Sequence, residues 1–119
     1  MATGTITNTD KVVNISSQFT IDTTKAIINV CDFWKSGKVC SFYLSPKYVN
    51  VSTSSGFVTI GTIASGYRPK EDFTLTIPCV SDGMKNNLFK IKKTGEVQIA
   101  PSTSIDGWTD YITATYVCV

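Results

Sequence analysis

Apolar and polar residues alternate along much of this chain. In Phe73-Thr74-Leu75-Thr76-Ile77-Pro78-Cys79 and in Ile112-Thr113-Ala114-Thr115-Tyr116-Val117-Cys118 every second residue is apolar. That period of two belongs to a strand with one buried face. Comparable runs predict strands at about 4–8, 11–15, 18–22, 26–34, 39–44, 47–52, 57–63, 73–80, 88–93, 96–100 and 111–118. Turn formers punctuate them: Lys35-Ser36-Gly37-Lys38, Ser45-Pro46, Ser65-Gly66-Tyr67-Arg68-Pro69, Ser81-Asp82-Gly83, Thr94-Gly95 and Asp106-Gly107. Short strands at this spacing predict a sandwich or barrel rather than a βαβ fold. The best place for a helical turn is 80–87, and there Asp82-Gly83 signals a loop.

Two hairpins can be placed in register. In the first, Cys31, Phe33, Cys40, Phe42 and Leu44 form one apolar face. Setting Phe33 opposite Cys40 achieves this with a Ser36-Gly37 loop, and puts Trp34 and Tyr43 on the other face. In the second, Phe89, Ile91, Val97 and Ile99 share the apolar face. Pairing Ile91 with Val97 leaves the loop Lys93-Thr94-Gly95, with Gly95 where a left-handed residue is needed. Lys90, Lys92, Glu96 and Gln98 then face solvent, with Lys92 opposite Glu96 and the lysines guarding a sheet edge.

Composition sharpens the class. Val, Ile and Thr supply 40 of the 119 residues, whereas Ala, Leu, Glu, Met and Gln together are few. Such a chain should be all-β, with little or no helix. Its length suits a single domain, 1–119, able to bury about two-thirds of its surface without metals or bridges. There is no histidine, which excludes Ser-His and Cys-His catalytic pairs and every His-containing metal site. The net charge is only +2 and the charges are interspersed, so neither nucleic acid nor an acidic membrane is called for. No apolar run is long enough to span a bilayer, and the first residues show no signal-peptide pattern. Cys31, Cys40, Cys79 and Cys118 lack any CxxC spacing. They fall on apolar strand faces and read as reduced, buried small hydrophobes.

Candidate chemistry is sparse. Asp22, Glu71, Asp72, Asp82, Asp106 and Asp110 lie near turns. Asp106 and Asp110 flank Trp108, an arrangement that would suit a glycosidase pair beside a sugar-stacking ring. Acids in such a loop are more often solvated turn residues, and two non-catalytic readings stand equally for Ser104-Ile105-Asp106-Gly107-Trp108-Thr109-Asp110: the indole stacks on a sugar while Asp106 and Asp110 bond its hydroxyls, or Trp108 folds back to plug the end of the sandwich. Trp34 and Tyr43, on the outer face of their sheet, are candidate subunit contacts. No metal site and no cofactor is expected.

Ile60-Gly61-Thr62-Ile63-Ala64-Ser65-Gly66-Tyr67-Arg68-Pro69 resembles the Ile-Gly-x-Leu-Pro-x-Gly-Tyr-Arg-Pro segment of the C-terminal head domains of tailed-phage tail fibres and baseplate receptor-binding proteins. Ala64 or Ser65 stands where that family has proline. The hairpin Trp34-Lys35-Ser36-Gly37-Lys38-Val39, the hairpin from Phe89 to Ile99 and the closing strand Tyr111 to Tyr116 are similar to further pieces of the pattern, in the same order over 26–119. Residues 1–25 would be N-terminal strands or the lead-in from a shaft. The resemblance implies an antiparallel, jelly-roll-like β-sandwich head. It would form a homotrimer at the virion tail tip, be made in a bacterial cytoplasm, sit among other tail proteins and bind a host cell-surface polysaccharide without catalysis. The alternatives are a free-standing carbohydrate-binding module and a purely structural tail or decoration protein. Tyr67-Arg68-Pro69 reads as structure rather than site: Pro69 fixes φ, Gly66 permits the turn and Tyr67 anchors it.

Overall fold

The computed structural model describes residues 12–49, 56–79, 85–100 and 112–118. Among these residues nine strands stand in this order: β1 (Val12–Asn14), β2 (Phe19–Ile21), β3 (Ala26–Ser36), β4 (Val39–Val49), β5 (Val58–Ile63), β6 (Phe73–Cys79), β7 (Lys85–Ile91), β8 (Glu96–Ala100) and β9 (Ile112–Val117). A 3-10 turn, Ser16–Gln18, joins β1 to β2. The strands form two antiparallel sheets, ordered β1-β3-β4-β9 and β2-β5-β8-β7-β6. This is the all-β sandwich architecture that the alternation predicts.

The core lies where the two apolar phases meet. Phe33, Phe42 and Leu44 from the first sheet and Ile60, Ile63, Phe89, Ile91, Val97 and Ile99 from the second are all at most 1% exposed. Phe42 sits at the centre. It meets Phe33 edge-on at 5.2 Å and Phe19 edge-on at 5.1 Å, and lies over Phe89 at 6.3 Å. Phe19 and Phe89 belong to the opposite sheet, so these rings bind the layers together. Each buried side chain of this size contributes about 1.5–3 kcal/mol relative to exposure.

The first hairpin keeps its predicted faces but not its predicted register. Phe33 pairs with Phe42 and Lys35 with Cys40, and Ser36 with Val39 closes on a Gly37-Lys38 turn. Moving the register by two residues conserves every face, which is why face matching could not distinguish the two solutions. Backbone geometry does: Gly37 has φ +59°, and a primed turn needs positive φ at its first central residue. The runs predicted at 39–44 and 47–52 are one strand as far as Val49. Pro46 is accommodated by register shifts around Ile28, its partner, because proline cannot donate to the ladder.

The second hairpin has the predicted register. Ile91 pairs with Val97, Lys92 N–H donates to the Glu96 carbonyl at 2.9 Å, and Gly95 turns the chain with φ +96°. Three expectations there are corrected. The strand starts at Lys85, so 85–87 is not part of a loop, and β6 pairs along its whole length. Lys90 therefore lies on an interior strand and guards no edge; its ammonium packs over the Phe57 ring at 4.2 Å. Glu96 turns to Thr59, Thr94 and Gln98 rather than to Lys92. The run predicted at 4–8, and the ends of other predicted runs at 11, 50–52, 80 and 111, lie outside the described residues.

Cys40 and Cys118 are buried free thiols and Cys31 a half-buried one. All three pack on the core, as small hydrophobes do. The Cys79 side chain lies outside the described residues.

Candidate functional site

One end of the sandwich collects the 3-10 turn, the β3–β4 turn, the segment 64–72 and the β7–β8 turn. Segment 64–72 crosses from β5 of one sheet to the end of β9 in the other, and its residues close that seam. Arg68 Nε donates to the Ile63 carbonyl at 2.8 Å, and its guanidinium lies directly against Gly95, where a Cβ would collide with it. The Tyr67 carbonyl accepts from the Tyr116 hydroxyl at 2.6 Å. Pro69 forms a bridge with Cys118, and Lys70 N–H donates to the Val117 carbonyl at 3.3 Å. Gly66-Tyr67-Arg68-Pro69 is thus a clasp between the sheets, in agreement with its structural reading.

Burial sets the ionisation of the groups beneath the clasp. It pushes the Tyr116 hydroxyl well above its ordinary range, helped by the neighbouring Cys40 and Cys118, so it stays a neutral donor. It pushes the Cys40 thiol up to about 12, with Cys118 adding to the effect. Burial likewise raises Cys31 to about 11, with the Asp32 charge adding. These thiols are protonated at neutral pH and are poor nucleophiles.

Against this clasp lies a feature that the hydrophobic pattern did not single out. The inward phase of β3 runs Cys31, Phe33, Lys35, so the apolar face ends on a lysine. Lys35 pairs with Val13 on one side and Cys40 on the other. Its ammonium stands 5.1 Å from the centre of the Tyr67 ring and 3.4 Å from the Gly66 carbonyl. No carboxylate pairs with it among the described residues. Val13, Ile15, Lys35, Gly37 and Tyr67 line a cleft of about 290 Å³. The signal was legible as a charge in an apolar phase, but its partner Tyr67 comes from a distant strand connection.

Trp34 and Tyr43 stand on the outer face of the first sheet, as predicted. Trp34 pairs with Ser41 and Tyr43 with Asp32, which makes the two rings diagonal neighbours. Trp34 is 38% exposed and Tyr43 half-buried. Val39 shares that face, and sequence reasoning missed the row it joins: Val12, Val39 and Val117 are exposed side by side, Val12 and Val39 both pairing with Ser36 and Val39 with Val117. The predicted ligand residues Trp108, Asp106 and Asp110 lie outside the described residues.

Two of the described acidic residues serve turns. Asp22 accepts from the Thr24 N–H at 3.0 Å and hydroxyl at 2.6 Å, and Asp72 from the Lys93 N–H at 2.8 Å. Among the described residues no three His, Cys, Asp or Glu side chains gather as a metal site, and no helix is long and apolar enough to cross a membrane. The chain matches no family model, no curated protein and no solved structure.

Proposed function

We propose that this chain is a non-catalytic host-adhesion domain of a tailed phage, carried in the tail fibre or baseplate and binding a host cell-surface saccharide. The observation that most supports this is the clasp. The stretch resembling the phage segment, Gly66 to Pro69, holds one end of a β-sandwich shut, a role that suits a rigid head presenting its loops. In this reading Trp108 stacks on a sugar ring while Asp106 and Asp110 bond its hydroxyls. The row of Val12, Val39 and Val117 beside Trp34 and Tyr43 supports subunit contacts within a homotrimer. Three copies strengthen individually weak sugar contacts because later binding events become intramolecular.

The test is an array of bacterial surface polysaccharides probed with the purified chain, alongside light scattering during gel filtration. The expected result is retention of specific polysaccharides, abolished by Trp108→Ala, and a mass of three chains. Absence of any retained polysaccharide would leave the structural tail or decoration protein, which the exposed valine row also favours. A strict monomer that binds sugar would point instead to a free-standing carbohydrate-binding module.

A further inference from the structure

We propose that the cleft between Lys35 and Tyr67 is a binding subsite for a carboxylate-bearing sugar residue. For the saccharide class this rests on the adhesion reading; the anion requirement stands on the cleft alone. Lys35 is the departure that matters. A lysine on the inward phase of a strand normally finds a carboxylate or carries its ammonium fully into water. Here the ammonium is held at the cleft by the Tyr67 ring and the Gly66 carbonyl, a long contact at 3.4 Å. At most one of its three N–H donors is engaged by that carbonyl, so two remain for a ligand.

The remaining walls define the ligand further. Val13 and Ile15 offer an apolar surface, and Gly37 adds backbone without a side chain. Lys38 follows Gly37 in the same turn and is exposed. Among the described residues no acidic side chain lines the cleft. At about 290 Å³ it lies near the lower limit of small-molecule sites, large enough for one pyranose ring and too small for a long oligosaccharide. A uronic acid combines what the cleft complements: a carboxylate to accept from Lys35 Nζ and a ring face of C–H groups to lie on Val13 and Ile15. A neutral hexose offers the ring face without the charge-assisted bond.

The test is NMR titration of the full chain, labelled with nitrogen-15, using sodium glucuronate and glucose as probes. Glucuronate is expected to shift the amides of Val13, Lys35, Gly37, Gly66 and Tyr67 saturably, and to bind at least about tenfold more tightly than glucose. Lys35→Met, which keeps the packing stem, should weaken glucuronate by about tenfold, and Lys35→Arg should retain it. Equal responses to the two sugars, or unchanged binding by Lys35→Met, would overturn the proposal. If Lys35→Met does not fold, the comparison of the two sugars on the unaltered protein decides. The adhesion reading fails separately. Glucuronate binding at the cleft with no polysaccharide retained on the array would sink adhesion and keep the anion site. Retained polysaccharide with no preference for glucuronate would do the reverse.

Discussion

Gly66 and Gly95 offer a matched pair for measuring the clasp. Their φ angles are +95° and +96°, so an alanine meets the same backbone strain at both. That strain costs about 1–2 kcal/mol. The surroundings differ. At Gly66 a Cβ would meet nothing within 4 Å, whereas at Gly95 it would collide with the Arg68 guanidinium and the Ile63 carbonyl. Gly95→Ala must therefore also displace Arg68 from its 2.8 Å bond to Ile63. A hydrogen bond from a charged donor contributes about 1.5–3 kcal/mol. The expected destabilisation is about 1–2 kcal/mol for Gly66→Ala and about 3–5 kcal/mol for Gly95→Ala. Urea denaturation followed by circular dichroism reads the difference directly. With a slope of about 1.5 kcal/mol per molar, the two midpoints should differ by about 1 M or more. In an Arg68→Ala background the Gly95→Ala penalty should shrink towards the Gly66→Ala value, with the Ile63 carbonyl contact remaining. Equal midpoints for the two single variants would refute the clasp as a stabilising contact.

Other expectations follow from the same geometry. Burial raises Cys31 and Cys40 from 9.0 to about 11 and about 12, so folding favours their protonated forms. Their contribution is complete below pH 9, where the unfolded thiols are also protonated. It is lost as pH rises towards 11 for Cys31 and 12 for Cys40, at about 1.4 kcal/mol per pH unit for each thiol. Urea midpoints measured from pH 8 to 11 should fall, and Cys40→Ala should flatten the slope; an unchanged slope would contradict the assignment. On the outer face, Trp34→Glu combined with Val39→Glu should lower the mass found by light scattering from three chains to one, while the circular dichroism spectrum stays that of the parent. A trimer surviving both charges would move the subunit contact elsewhere.

Much of the architecture was legible because it is written in short-range alternation. Phe89, Ile91, Val97 and Ile99 identify their own face, and a three-residue loop ending on Gly95 permits only one pairing. The first hairpin shows where such reasoning stops. Two registers satisfied Cys31, Phe33, Cys40, Phe42 and Leu44 equally, and the turn geometry at Gly37 chose between them. Pro46 looked like a strand boundary, yet register shifts in β3 let β4 run on to Val49. Alternation marks Lys90 as facing away from the core, but only the pairing of β6 makes its strand an interior one.

The site divides in the same way. That Lys35 interrupts an apolar phase and that Trp34 and Tyr43 face outward can be read from neighbouring residues, since a strand's side chains alternate whatever it packs against. That Lys35 meets Tyr67, or that the Tyr116 hydroxyl reaches the Tyr67 carbonyl 49 residues away, depends on strand order and on the stacking of one sheet over the other. A period of two assigns each residue a face but carries no information about which distant strand will lie alongside it. Burial of the whole apolar surface at once makes that choice, and with it the cleft.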